Sequence, residues 1–282
     1  MTSRLITRRP DGSVIVDSDQ ICLGLVKSGY MQPMGQWQRT RRQAANNQNY
    51  IPLVDGYDSL YGFTVKAIAP IVFISGRAAL AASFRDGDMV TFYYGAASSS
   101  TKYYVYDLMS DRGPGAKLRM WRDDRTPTFD SEQLPLNIYT SITPPGPSAQ
   151  SAQHGGFGYA YAGGNITAEG RGGLYTTAFS SWSTALPEGQ YAVNLPWRRG
   201  CFHCERDAWR MSFAATEGVY SSGRNIVFFF STAPGTPVND YYQTSFPLNT
   251  PTTTFFNIPT ARIPKATVIE VSKIPFPFDA NL

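Results

Sequence analysis

Short runs that alternate apolar and polar residues with period two recur along this chain, and they restrict its fold more than any other feature. VTFYYGA at 90–96 sets Val90, Phe92 and Tyr94 against Thr91 and Tyr93. TKYYVYDLM places Tyr104, Tyr106 and Leu108 on one face, and AKLRMWR places Leu118 and Met120 opposite Lys117, Arg119 and Trp121. Each is the signature of a strand with two unlike faces. Turn signals separate them: Arg85-Asp86-Gly87-Asp88, the small-residue run from Gly95 to Thr101, and Asp111-Arg112-Gly113-Pro114-Gly115. Strand signals return in GYAYAG, GLYTTAF, YAVNL, WRMSFAA, NIVFFFS and ATVIEVSKI. Aromatics make up 14% of the chain and charged residues only 16%, a balance suited to pleated faces that accept flat rings. The expected class is all-β, built from two sandwich-like domains with long loops and extended arms. Very little helix is expected, and 77–84, RAALAASF, is the best candidate for it on the strength of its alanines.

At 282 residues the chain is long enough for two modest cores. The stretch 143–158, with three prolines and a run of Ser, Ala, Gln and Gly, suits neither a sheet nor a core, so 146–158 is expected as a linker. It would divide an N-terminal domain, 1–145, from a C-terminal domain, 159–282. The polar stretch QWQRTRRQAANNQN at 36–49 reads as a long loop or arm. The segment 231–265, with six prolines, reads as an extended excursion, and Pro275-Phe276-Pro277-Phe278 as a tail laid over a neighbour.

One element occurs twice. Sliding 5–25 over 118–138 without a gap pairs Leu5 with Leu118, Asp11 with Asp124, Asp17-Ser18 with Asp130-Ser131, Gln20 with Gln133, Leu23 with Leu136 and Leu25 with Ile138. Each copy reads strand, turn, strand, then an Asp-Ser corner. Asp and Ser side chains bond nearby downstream N–H groups, so Asp17, Ser18, Asp130 and Ser131 are read as structural corners. A metal or catalytic role would need further ligands, and the copies offer only Asp19 or Glu132.

Charge and cysteine content exclude several classes. A net charge of +4 is small for this length, so the electrostatic term of nucleic-acid binding is weak unless clustered. Two arginine clusters exist, Arg39-Arg41-Arg42 and Arg198-Arg199-Arg206-Arg210, and the second is interleaved with Glu205 and Asp207, as a solvated or interface face would be. No apolar run reaches the ~20 residues of a membrane span, and the N-terminus has no signal-like apolar region. No nucleic acid and no membrane insertion are therefore expected. Three cysteines, Cys22, Cys201 and Cys204, are too few for a disulfide framework and fit a reducing site of synthesis.

The stretch PWRRGCFHCERDAW at 196–209 is the most suggestive for a site. Cys201, His203 and Cys204 bring soft ligands together, yet structural zinc takes four and the second histidine, His154, falls in the linker. The expectation is no metal and no cofactor. Exposed Trp and Arg are enriched at interface hot spots, so Trp197, Arg198, Arg199 and Trp209 are read as partner-binding. Trp37 and Arg39 in the arm, and Phe276 and Phe278 in the tail, join them. The glycine runs at 155–158 and 170–173 lack the setting of a phosphate loop. Two histidines supply no Ser-His-Asp set, and Asp86, Asp88, Asp107, Asp111, Asp123 and Asp124 all fall in turn-like positions.

The order of motifs resembles a family. DGSVIVDSD, PIVFIS, KYYVYDLM, KLRMWRDDRTPTFDSEQLPLNIY, YAVNL and TVIEVSKI follow one another as in the small β-rich proteins of the tail-tip and tail-fibre region of long-tailed, siphovirus-like bacteriophages. These open with a short strand, a Gly turn and a hydrophobic-Asp-Ser corner, and repeat that element mid-chain. The resemblance implies a structural virion protein, made in the bacterial host cytoplasm, that acts by contacts with other tail proteins in several copies around the tail axis. It implies no enzyme. The alternative reading is a tail adhesin whose aromatic rings stack on a host surface glycan or receptor, and a third class, a polysaccharide-degrading enzyme, has no identifiable catalytic residue. The segments 197–210 and 231–265 are larger than the pattern and depart from it.

Overall fold

The computed structural model describes residues 6–8, 10–12, 14–17, 20–44, 47–111, 117–153, 155–171, 175–205, 211–232, 238–239 and 254–280. The chain is all-β and sandwich-like, with no helix among the described residues. Its organising strand is Lys102–Leu108, which is hydrogen-bonded on one side to Ile71–Ser75 and on the other to Leu23–Tyr30. Alternation sends Tyr103 and Val105 into one core and Tyr104 and Tyr106 into another. Both faces of this strand are therefore buried, which is why KYYVYDL is apolar almost throughout.

The first core is closed by a second sheet, in which Asn47–Lys66, Met89–Gly95 and Ala79–Asp86 pair in that order and present Phe63, Val65, Val90 and Phe92. Phe63 stacks on Tyr103 with ring centroids 3.7 Å apart. The second core is closed by residues far along the chain: Ala192, Ile269, Val271, Phe276 and Phe278. A further sheet orders Asn165–Arg171, Tyr175–Ala185, Asn225–Ser231, Met211–Ser222, Gly200–Glu205 and Thr254–Phe256, all antiparallel. Its NIVFFFS strand sends Ile226, Phe228 and Phe230 into a third core with Tyr191, Val193 and Val268.

The duplicated element takes the same backbone twice. Ile6–Arg8 pairs with Val14–Asp17 in the register Ile6 to Asp17, Thr7 to Val16 and Arg8 to Val14, with an irregularity after Thr7. Arg119–Trp121 pairs with Pro127–Asp130 in the equivalent register, with the irregularity after the equivalent residue, Met120. The turn residues Gly12 and Arg125 both have positive φ, 85° and 64°. At the corners the Gln20 N–H donates to Asp17 O at 2.9 Å and the Gln133 N–H to Asp130 O at 3.1 Å. Asp130 Oδ1 also accepts from the Glu132 N–H, and the Leu118 N–H donates to Ser131 Oγ. Ser18 lies outside the described residues. The copies then meet each other: the Leu136 N–H donates to the carbonyl of Leu23, its own counterpart, and the Leu25 N–H to Leu134 O, each at 2.8 Å. The repeat thus builds two like corners that are joined to each other by backbone hydrogen bonds.

Several expectations are corrected. The helix expected at 77–84 is instead the strand Ala79–Asp86, because cross-strand pairing with the aromatic run Met89–Gly95 outweighs alanine's helix propensity. Ala79 packs beside Phe179 and Phe229. The segment 146–158 does not separate two independent cores. The first and third cores each lie within one half, but the second joins Leu25, Phe73, Tyr104 and Tyr106 to Ala192, Ile269 and Val271. The segment itself is held by backbone pairs, with Ser148 accepted by Tyr159 O, Ala162 by Gly146 O, and Phe157 and Phe255 bonded to each other twice. The stretch expected as an excursion, 231–265, contains the buried strand Thr254–Phe256. The polar arm at 36–49 is not a loop but part of a long hairpin, Gln32–Ala44 with Asn47–Lys66.

The C-terminal tail is also corrected. It lies along Leu23–Tyr30, pairing Phe278 with Ser28 and Asp279 with Lys27, while Ser28 Oγ donates to Pro275 O at 2.6 Å. Phe276 meets Tyr30 edge-on at 4.8 Å and Lys102 Nζ lies 4.9 Å from its centroid. The two phenylalanines are thus engaged by their own chain, because the pair that would be costly in water finds an apolar strand edge within reach.

Candidate functional site

The segment 196–205 crosses from the joining strand Tyr191–Asn194 to the strand Gly200–Glu205, and it distributes its residues unequally. Arg199 is buried. Its Nε donates to Glu217 Oε2 at 2.8 Å and its Nη2 to Glu217 Oε1 at 2.7 Å, the two-pronged geometry in which a guanidinium best matches a carboxylate. Tyr161 Oη donates to the same Oε1 at 2.9 Å, and Arg199 Nη1 reaches Pro259 O. Burial, followed by the Glu217 charge, pushes the Tyr161 hydroxyl pKa far up, so it stays a donor. With each charge answered, this triad cross-links three stretches of the chain. Arg199 is therefore a core residue and not a partner-binding one.

Cys201 and His203 follow on the inward face of the same strand, with Phe202 exposed between them. Burial pushes the Cys201 thiol up, which makes it a poor nucleophile. Among the described residues no three His, Cys, Asp or Glu side chains converge. His203 is 1% exposed, its ring lies 4.9 Å from that of Phe255, and neither nitrogen has a hydrogen-bond partner among the described residues. Burial alone holds its pKa down, at about 4, so it is neutral.

The other candidates separate. Trp197 is half-buried with the Arg262 guanidinium 5.0 Å from its ring, and Arg198 is exposed, donating from Nη1 to Leu80 O. Trp209 lies outside the described residues. In the hairpin, Trp37 is 42% exposed, whereas Arg39 is buried against Asp58 at 2.7 Å. Of the carboxylates, Asp107 is not in a turn but on the strand Lys102–Leu108, where it accepts from the Ile68 and Ala69 N–H groups at 2.6 and 2.7 Å. Asp124 caps its own turn through the Thr126 N–H.

A cleft of about 380 Å³ opens beside Arg198, walled by Val72, Ile74, Leu80, Phe92 and Trp197. It lies where Ile71–Ser75 makes single bridges to two strands, Val193 to Ile74 and Ser221 to Ser75, so that the sheets part. Asn194 Nδ2 donates to the carbonyl of Val72 at 2.8 Å. Nothing in family models, curated proteins or solved structures matches this chain. Sequence reasoning missed both the cleft and Glu217. The cleft is assembled from segments more than a hundred positions apart, as the Asn194 to Val72 bond shows. Glu217 left one signal: a lone carboxylate in the otherwise uncharged run FAATEGVY.

Proposed function

We propose that this chain is a structural protein of a bacteriophage tail, in the tail-tip or tail-fibre region, working by contacts with other tail proteins in several copies around the tail axis. The observation that carries this reading is the hairpin Gln32–Ala44 with Asn47–Lys66. Its first strand has 13 residues, about 43 Å of extended chain, and among the described residues the pairing beyond Leu60 is almost wholly of one strand with the other, a single bridge from Val238 to Arg41 apart. A two-stranded ribbon is marginally stable in water, and its edges offer unpaired peptide groups. A partner surface satisfies both, and Trp37 and Tyr57 stand exposed on the ribbon as apolar contacts. The motif order adds the tail setting. No reaction is part of the reading, since Glu217, Asp107 and Asp130 are bound in structural contacts.

The test is to delete 38–57, closing Trp37 to Asp58 with an Asn-Gly turn, and to assemble particles with the shortened chain. The expected result is an unchanged circular dichroism spectrum with loss of incorporation. Full incorporation of the shortened chain would overturn the assembly reading. A map of the particle that places the chain outermost, together with competition for cell binding by the purified chain, would favour the glycan-binding adhesin instead.

A further inference from the structure

Two features of the hairpin Ala79–Asp86 with Met89–Gly95 are left unused by the contacts described above. At its base, Leu80, Phe92 and Tyr94 wall the cleft of about 380 Å³. The cleft carries one positive group, Arg198, because the carboxylate that lines it, Glu217, is neutralised by Arg199. At its tip stand the two most exposed large apolar side chains among the described residues, Ile68 at 71% and Phe84 at 63%, with Met89 beside them at 41%. Arg85 donates to the carbonyls of Ala67 and Ile68, and Lys66 pairs with Met89, so these residues form one end of the sheet. Phe84 and Met89 share its outer face, since Asp86 pairs with Met89 and lies two residues from Phe84 on the same strand. The tip also carries acid. Asp88 is paired with Lys66 at 2.9 Å, and Asp86 is exposed.

Among the described residues Asp86 and Arg198 have no ion-pair partner, so an apolar tip with a carboxylate complements an apolar cleft with a guanidinium. The two cannot meet within one chain. Leu80 and Asp86 are held about 20 Å apart by a strand that is paired along its length. We infer that the cleft receives the Phe84 tip of a second copy of this chain, with Asp86 against Arg198, in a head-to-tail contact. Such a contact uses different patches on the two copies, so each copy keeps a free tip and a free cleft, and repetition builds a ring or an open array. The cleft's size suits one aromatic anchor and its flank, as at the centre of an ordinary interface. The inference rests on the assembly reading only in its choice of partner.

The experiment is sedimentation velocity of the full chain from 1 to 100 µM, with these concentrations chosen as roughly those at which contacts of this size associate. The expected result for the unaltered chain is growth from monomer to dimer and larger species. Phe84→Asp, which loses the tip, and Arg198→Glu, which loses the cleft's charge, should each weaken self-association by about thirtyfold or more. Mixed in equal amounts they should form a dimer and nothing larger, because the first keeps a cleft and the second keeps a tip. Asp86→Arg combined with Arg198→Glu in one chain should restore association. Circular dichroism verifies each fold, and Ile68→Asp replaces Phe84→Asp should that variant unfold. A monomeric unaltered chain, undiminished association of either variant, or a monomeric mixture would each overturn the inference. None of these results bears on whether the long hairpin 32–66 docks on a different tail protein.

Discussion

Acid should weaken this fold through His203, and the size of the effect follows from its surroundings. The imidazole is 1% exposed, lies against Phe255 and has no hydrogen-bond partner for either nitrogen among the described residues. Desolvation lowers its pKa from 6.5 to about 4. A folded value below the unfolded one means that the unfolded chain takes up the proton first as pH falls. The stabilisation of the neutral form is therefore complete above pH 6.5 and is lost progressively between 6.5 and 4. A difference of about 2.5 pKa units corresponds to about 3 kcal/mol. Replacing His203 by Phe removes the titration, keeps a ring against Phe255 and removes two unpaired polar atoms, offset in part by the larger ring. Urea unfolding of both proteins at pH 7.5, 6.5, 5.5 and 4.5 separates this group from the carboxylates, which titrate alike in the two. The stability of the variant relative to the unaltered chain should rise by about 2 to 3 kcal/mol across that range. Parallel profiles, with a gap that changes by less than about 1 kcal/mol, would refute a buried neutral imidazole.

Three further outcomes follow from packing. Glu217→Gln leaves the Arg199 guanidinium buried without its counter-charge and should cost about 3 to 5 kcal/mol in urea unfolding, whereas replacing Arg199 by Met and Glu217 by Leu together should recover most of it. Deleting 275–282 removes Phe276 and Phe278 from the shared core and should lower stability by about 2 to 3 kcal/mol, read as a melting temperature lower by about 5 to 10 °C; an unchanged melt would show the tail to be dispensable. Gly62→Ala places a Cβ 2.0 Å from the Phe92 carbonyl oxygen and should cost about 3 kcal/mol or more, while Gly200→Ala, whose nearest neighbour is 3.8 Å away, should change stability by about 0.5 kcal/mol or less.

What the sequence determined by itself is local. Period-two alternation in MVTFYYG and KYYVYDL fixed strands and their faces, because side chains on a strand alternate whatever the strand packs against. The ungapped repeat of 5–25 at 118–138 likewise foretold two like strand-turn-strand units, and their registers and positive-φ turns match, since a short hairpin is set by its own turn and corner residues. Local pattern misled where a distant partner decided. RAALAASF has a helical composition, yet it is a strand because the run Met89–Gly95 offers its backbone a ladder and Phe179 and Phe229 leave room for small side chains. The roles of Arg199 and Phe276 were equally illegible. An arginine beside a tryptophan looks like a contact residue until Glu217 is folded against it, and a terminal Phe looks unsheltered until Leu23–Tyr30 supplies an edge. Burial and ion pairing depend on what arrives from elsewhere in the chain, and the tertiary structure alone brings residue 217 to 199, 278 to 28, and 194 to 72 to open the cleft.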